Sequence, residues 1–154
     1  MVCIRHKDSG GRFICGLLHG REPPFDPQEI TREHAALARE YGCLRIEGDA
    51  YSADWITSSY RECGATYECS EKNKSELYLE GLPTSSRGLV SLPEHRRLKR
   101  ELRLSERRVS RAGRDRVYHG RGGSDDYANS LFGCLNLAMS TGRYRYPQNM
   151  DRVS

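Results

Sequence analysis

Three acidic residues sit where short extended runs end or a helix begins. Asp49 follows the alternating run Cys43-Leu44-Arg45-Ile46-Glu47 and Gly48, and Asp125 and Asp126 open a segment with an apolar stripe. Carboxylates at a strand end and at a helix start can converge. Two or three of them can hold a pair of Mg²⁺ or Mn²⁺ ions about 4 Å apart, one activating water and the other stabilising a leaving oxygen. Phosphodiester hydrolysis is the reaction that such chemistry serves. Each acid also has a plainer role, Asp49 as a turn residue and Asp125 or Asp126 as a cap that compensates the helix dipole.

Other residue types offer less. His6, His19, His34, His95 and His119 lie apart in sequence, outside any recognised nucleophile motif, and His34 reads as a helix-face residue rather than a ligand. Gly120-Arg121-Gly122-Gly123 lacks the Lys-Ser/Thr of a phosphate-cradling loop, so ATP hydrolysis is not expected. Those glycines either let a backbone come close to metals or DNA or form an ordinary loop.

The elements that must position these acids follow from periodicity. Residues 1–6 and 12–19 are short apolar and β-branched runs around Lys7-Asp8-Ser9-Gly10-Gly11, which predicts a β-hairpin. Asp26-Pro27 with Glu29 predicts a capped helix start, and Gly42 a stop near Tyr41. A strand over 43–47, a helix over 52–63, a strand over 66–69, a short helix over 75–82 and an extended piece over 88–92 follow. Next come a charged helix over 94–104 and a hairpin of 107–110 with 114–118. The last helix is capped by Ser124, with Tyr127, Leu131, Cys134, Leu135 and Ala138 facing inward. The polar tail 141–154 is expected to be poorly ordered.

A chain of 154 residues suits one domain. It has no run of roughly 18 apolar residues and no signal-like N-terminus, which predicts a cytoplasmic protein with no membrane partner. Its six cysteines are scattered without a C-x-x-C pair and are expected as reduced, buried thiols. Residues 87–121 are far richer in Lys and Arg than in Asp and Glu, which suits either a polyanionic partner or a solvated cationic face.

Several landmarks in order then resemble a known family, the C-terminal nuclease domain of phage terminase large subunits. They are Arg21-Glu22-Pro23-Pro24-Phe25, Gly48-Asp49-Ala50-Tyr51, Tyr67-Glu68-Cys69-Ser70-Glu71-Lys72-Asn73-Lys74-Ser75-Glu76-Leu77-Tyr78, Glu106-Arg107-Arg108, Ser110-Arg111-Ala112-Gly113-Arg114-Asp115 and Gly122-Gly123-Ser124-Asp125-Asp126-Tyr127-Ala128-Asn129. The resemblance covers residue 1 to about 138. It implies an α/β, ribonuclease-H-like mixed sheet flanked by helices, over residues 1–140. It also implies an endonuclease that cuts double-stranded DNA with two Mg²⁺ or Mn²⁺ ions, in the cytoplasm of a bacterial host.

In this reading Asp49 and Asp126 are the metal ligands, with Asp125 assisting or orienting. Lys72, Lys74, Arg107, Arg111, Arg114 and Arg121 are DNA-backbone candidates, Lys74 and Tyr78 being equally readable as structural. A small terminase subunit and a portal are the implied partners. The family's first carboxylate lies on a central strand ahead of the hairpin, which this chain is expected to lack as a fragment, a prophage remnant or the product of a misplaced start. Asp8 falls at the hairpin turn and is no substitute. Ser124 stands where the family often has His. The competing expectations are a non-catalytic DNA-binding or motor-assembly module, and a junction cutter of the same fold.

Overall fold

The computed structural model describes residues 1–43, 45–49, 53–109, 115–119 and 124–140. Strands β1 (Val2–Lys7) and β2 (Phe13–His19) form the expected antiparallel hairpin, with a bulge between Ile4 and Arg5. Its turn is closed by Asp8, whose side chain accepts from the Arg12 backbone N–H at 2.9 Å and from Arg12 Nε at 2.8 Å. The Arg12 guanidinium holds the Asp8 carboxyl below its ordinary range. Gly11 takes the left-handed conformation there, with φ of 81°.

Helix α1 (Pro27–Glu40) starts where Asp26 accepts from the Gln28 N–H at 2.8 Å and stops at Gly42, φ 69°. Glu29, expected as the capping-box partner, pairs instead with Arg21 at 3.5 Å. Strand β3 (Arg45–Gly48), helix α2 (Ala53–Glu62) and strand β4 (Thr66–Cys69) make a right-sized crossover unit, β3 and β4 pairing in parallel from Arg45↔Thr66 to Gly48↔Cys69.

Helix α3 (Lys74–Ser86) begins with a capping box between Asn73 and Glu76 and runs through Pro83, beyond the expected end at 82. A proline inside a helix removes one backbone bond. The helix continues because packing holds its far end: Gly81 is buried against the Phe132 ring, and Thr84 Oγ1 lies 3.3 Å from Met139 Sδ. Strand β5 (Val90–Ser91) joins β2 in parallel, followed by α4 (Arg96–Leu104), β6 (Ser105–Val109), β7 (Asp115–His119) and α5 (Asp126–Ser140).

The inward stripe of α5 is as the spacing predicts, with Tyr127, Leu131, Leu135 and Ala138 buried in one core with Phe13, Cys15, Tyr78 and Leu98. A smaller core joins Ala35, Tyr60 and Ala65. Burying a leucine or aromatic side chain contributes about 1.5–3 kcal/mol, so α5 is the element on which the larger core depends. Its cap is shared. Ser124 Oγ accepts from the Asp126 N–H at 3.4 Å, as expected, the first helical bond runs from the Asn129 N–H to the Asp125 carbonyl, and a further acceptor comes from α4, where buried Glu101 Oε2 accepts from the Ala128 N–H at 2.9 Å.

Among the described residues the sheet is split. One sheet has the order β1-β2-β5 and the other β3-β4, while β6 and β7 form a separate ribbon. Helix α5 touches β1, β2 and β3 and so bridges the two sheets. It also fixes their directions. Lys74, just past the end of β4, pairs with Asp125 at the head of α5, so β3 and β4 run toward that end. Tyr127 Oη reaches the carbonyl of Gly20 just past β2 at 3.5 Å, while Cys134 Sγ, two turns further along α5, reaches the Cys3 carbonyl at 3.4 Å. Strand β1 therefore runs away from the head of α5, opposite in direction to β3.

Candidate functional site

A cleft of about 980 Å³ lies between β1 and β3, with α1 and α5 contributing to its walls. Asp49 and Asp126 both line it, and both are exposed. The two acids are brought there by different devices. Strand β3 ends firmly: the Ser70 N–H donates to the Gly48 carbonyl at 2.7 Å, and Tyr67 Oη donates to the Asp49 carbonyl at 2.8 Å. Gly48 is needed because the Tyr67 hydroxyl occupies the space that a Cβ would fill. Tyr67 stacks on Tyr60, with centroids 5.4 Å apart, and burial with the nearby Asp49 charge pushes its hydroxyl up to about 12.

Asp126 opens α5, where the dipole favours an anion. Its Oδ2 accepts from Ser124 Oγ at 2.5 Å. Asp125 is turned elsewhere. It is buried, accepts from Asn129 Nδ2 at 3.1 Å and is ion-paired with Lys74. Burial lowers the Lys74 pKa, and the charge of Asp126 acts against that shift. Lys74 Nζ also stands 5.8 Å from the centre of the Tyr78 ring.

Lys72 is likewise engaged inside the protein. Its Nζ donates to Glu80 Oε2 at 2.5 Å and to Asn136 Oδ1 at 2.7 Å; the bond from Lys72, with a second from Asn136 Nδ2 at 3.1 Å, holds the Glu80 carboxyl below its ordinary range. Arg107 lies on β6 opposite Val117, while Arg111, Arg114, Arg121 and the glycines of 120–123 fall outside the described residues, as does the 141–154 tail. The exposed cations that sequence reasoning passed over are on α4. Arg97 and Lys99 are paired with Glu22 and Glu94, whereas Arg96, Arg100 and Arg103 stand exposed. Their signal was a basic helical run around buried Leu98 and Glu101.

His34 is 4 % exposed and lines the same cleft, with Nδ1 3.3 Å from Tyr60 Oη. Burial pushes its pKa down to about 4. Of the cysteines, only Cys15 is buried and Cys69 is exposed, a correction to the expectation that all were buried thiols.

Carboxylate oxygens suit hard divalent cations. Among the described residues, however, no three His, Cys, Asp or Glu side chains are grouped so as to hold a metal ion. The present acids therefore fit a metal only as part of a ligand set. Among the described residues no helix is long and apolar enough to cross a membrane.

No family model and no curated protein matches the chain. Its fold does match solved structures. A crystal structure of the large terminase nuclease from thermophilic phage G20c with bound cobalt superposes with a TM-score of 0.66 at 18 % identity, over 88 % of this chain and 80 % of that one. A second structure of the large terminase nuclease from the same phage gives 0.60 at 22 % identity, over 81 % of this chain and 66 % of that one. The chain has the ribonuclease-H-like, mixed α/β fold of those nuclease domains.

Proposed function

We propose that this chain is the nuclease module of a phage DNA-packaging terminase, acting on double-stranded DNA as a divalent-metal-dependent endonuclease. The observation that carries the reading is that Asp49, from the end of β3, and Asp126, from the head of α5, open on one cleft. The bound cobalt of the G20c nuclease supports a divalent cation as the cofactor class, Mg²⁺ or Mn²⁺ being the ions proposed for this chain.

Asp49 and Asp126 are the residues that would face the metal, which when bound would activate water toward a phosphodiester. The chain's own part is positional. Tyr67 holds the backbone of Asp49, Ser124 orients the Asp126 carboxylate, and Asp125 keeps Lys74 in place rather than facing the cleft. Lys72 and Lys74 act through Glu80 and Asp125, which leaves Arg96, Arg100 and Arg103 as DNA-backbone candidates beside Arg107, Arg111, Arg114 and Arg121. Backbone contacts of this kind are sequence-neutral and weaken with salt.

A second reading, a DNA-binding or motor-assembly module without cutting, is favoured by one observation: the described acids do not form a three-ligand group. Incubating the purified chain with supercoiled plasmid and Mn²⁺ separates the two. Nicking that disappears in Asp49→Ala and in Asp126→Ala supports the nuclease. Salt-sensitive DNA binding with no nicking supports the module. A preference for branched over linear DNA would point to a junction cutter of the same fold.

A further inference from the structure

Helix α4 is basic on its outer face and buries an acid on its inner one. In Arg96-Arg97-Leu98-Lys99-Arg100-Glu101-Leu102-Arg103-Leu104 the single acid, Glu101, lies inward with Leu98 at 4 % exposure. Burying a carboxyl is costly, and an apolar side chain of similar volume often serves stability as well or better. What distinguishes Glu101 is therefore the pair of bonds it makes.

Its Oε1 accepts from Arg97 Nε at 3.3 Å, and its Oε2 accepts from the Ala128 N–H at 2.9 Å. The second bond answers a local shortage. The first amides of a helix have no partner within it, and the side chain just before the helix ordinarily accepts from the second or third of them. Asp125 holds that position, but its carboxyl is turned to Lys74 and to Asn129 Nδ2. Ser124 serves the Asp126 N–H. The Ala128 N–H is left to an acceptor from another element, and α4 supplies it.

Tyr127 is held from the same side. The Arg97 guanidinium stands 5.3 Å from the centre of its ring, the His95 ring centre lies 4.4 Å away, and its hydroxyl donates to the Gly20 carbonyl at 3.5 Å. Asp125, Tyr127 and Ala128 are thus each buried and fastened to another element, while Asp126 between them is exposed on the cleft. Four successive residues make about one helical turn, so tying three of them fixes where the fourth points.

We infer that Glu101 is a positioning residue for Asp126: through the Ala128 amide it sets the first turn of α5 and so aims the Asp126 carboxylate into the cleft that Asp49 shares. Glu101 does not itself line that cleft, so it acts through α5. Groups that hold a metal ligand in place are worth about 10–100-fold in metal affinity. That consequence rests on the nuclease reading, whereas the fastening of α5 does not.

The test compares Glu101→Leu and Glu101→Gln in the 154-residue chain. Leucine keeps the volume and removes the acceptor, while glutamine keeps an oxygen for the Ala128 N–H. Two readouts need no metal: amide exchange along α5, and the χ1 couplings of Asp126 in NMR spectra. Mn²⁺ affinity, read from the EPR signal of the free ion, is the third. In Glu101→Leu the Ala128 and Asn129 amides are expected to exchange about tenfold faster, with Leu131 and Leu135 unchanged. The Asp126 couplings should become averaged, and Mn²⁺ should bind about tenfold more weakly. Glu101→Gln should recover most of each change. Unchanged exchange at Ala128, unchanged Asp126 couplings, or unchanged affinity in a chain that binds Mn²⁺ overturns the inference. So does a Glu101→Leu chain that fails to fold or exchanges faster at Leu131 and Leu135 as well, because Glu101 is then structural only. A Glu101→Gln chain no better than Glu101→Leu removes the role given to the bond and overturns it too. If the unsubstituted chain binds no Mn²⁺, the nuclease reading fails, and exchange and couplings still decide the role of Glu101.

Discussion

Lys74 donates to Asp125 across 51 residues of sequence, and this pair fastens the first turn of α3 to the head of α5. The pairing also sorts two adjacent acids into different roles. Asp125 is neutralised inside the protein, and Asp126, one residue on, is left facing the cleft.

Lys74→Met is therefore expected to strand a buried carboxylate and to lower stability. The side chain of Lys74 is 30 % exposed, which places the loss below that of a fully buried pair, at about 1–3 kcal/mol. Urea unfolding of the single variant, and of Lys74→Met with Asp125→Asn, measures it. The double variant should recover part of the loss. An unchanged midpoint in Lys74→Met would contradict the role given to this pair.

Gly81→Ala should destabilise, against the helix-propensity expectation. Replacing a helical glycine by alanine ordinarily stabilises by roughly 1 kcal/mol. At this position the new methyl would meet the Phe132 ring, which itself packs on Tyr78 with centroids 4.2 Å apart. Overpacking of this kind costs about 1–3 kcal/mol. Thermal unfolding decides the sign, and a raised melting temperature would show that α3 and α5 are less closely fitted than described.

His34 supplies a pH dependence. Its folded pKa, about 4, lies below the ordinary histidine value because burial disfavours the cation. Below the unfolded value the unfolded chain binds more protons, so stability is present at neutral pH and is lost as pH falls from about 6.5 toward 4. The slope is at most about 1.4 kcal/mol per pH unit from this group. His34→Gln removes the titration. Melting curves at pH 7.5 and pH 5 should converge for the variant relative to the unsubstituted chain, and parallel losses in both would rule this source out.

What was legible in the sequence is local. The Asp8 turn, the Asp26-Pro27 cap, the stop at Gly42 and the apolar stripe of α5 are each set by residues a few positions apart, and each stands where expected. Helix α3 runs past its expected end because Pro83 is only a local stop signal, while the contacts that override it come from α5, about fifty residues on. Ser124 at the start of α5 is legible as a cap, whereas nothing near it in sequence announces that Glu101 also reaches across from α4. The acidic and amide partners of Lys72 and Lys74, namely Glu80, Asn136 and Asp125, likewise become visible only in three dimensions. The positions of Asp49 past a strand end and of Asp126 at a helix start are legible because such boundaries are local, and their sharing of one cleft follows from how β3 and α5 are joined.

The most direct measurement of the central claim is paramagnetic broadening by Mn²⁺ in amide NMR spectra of the unsubstituted chain. The account predicts that substoichiometric Mn²⁺ broadens Gly48 and Asp49 together with Asp126 and Tyr127, and that Asp49→Asn or Asp126→Asn removes both effects. Broadening confined to one of the two segments, or loss of only the local effect on substitution, would contradict a shared cation site.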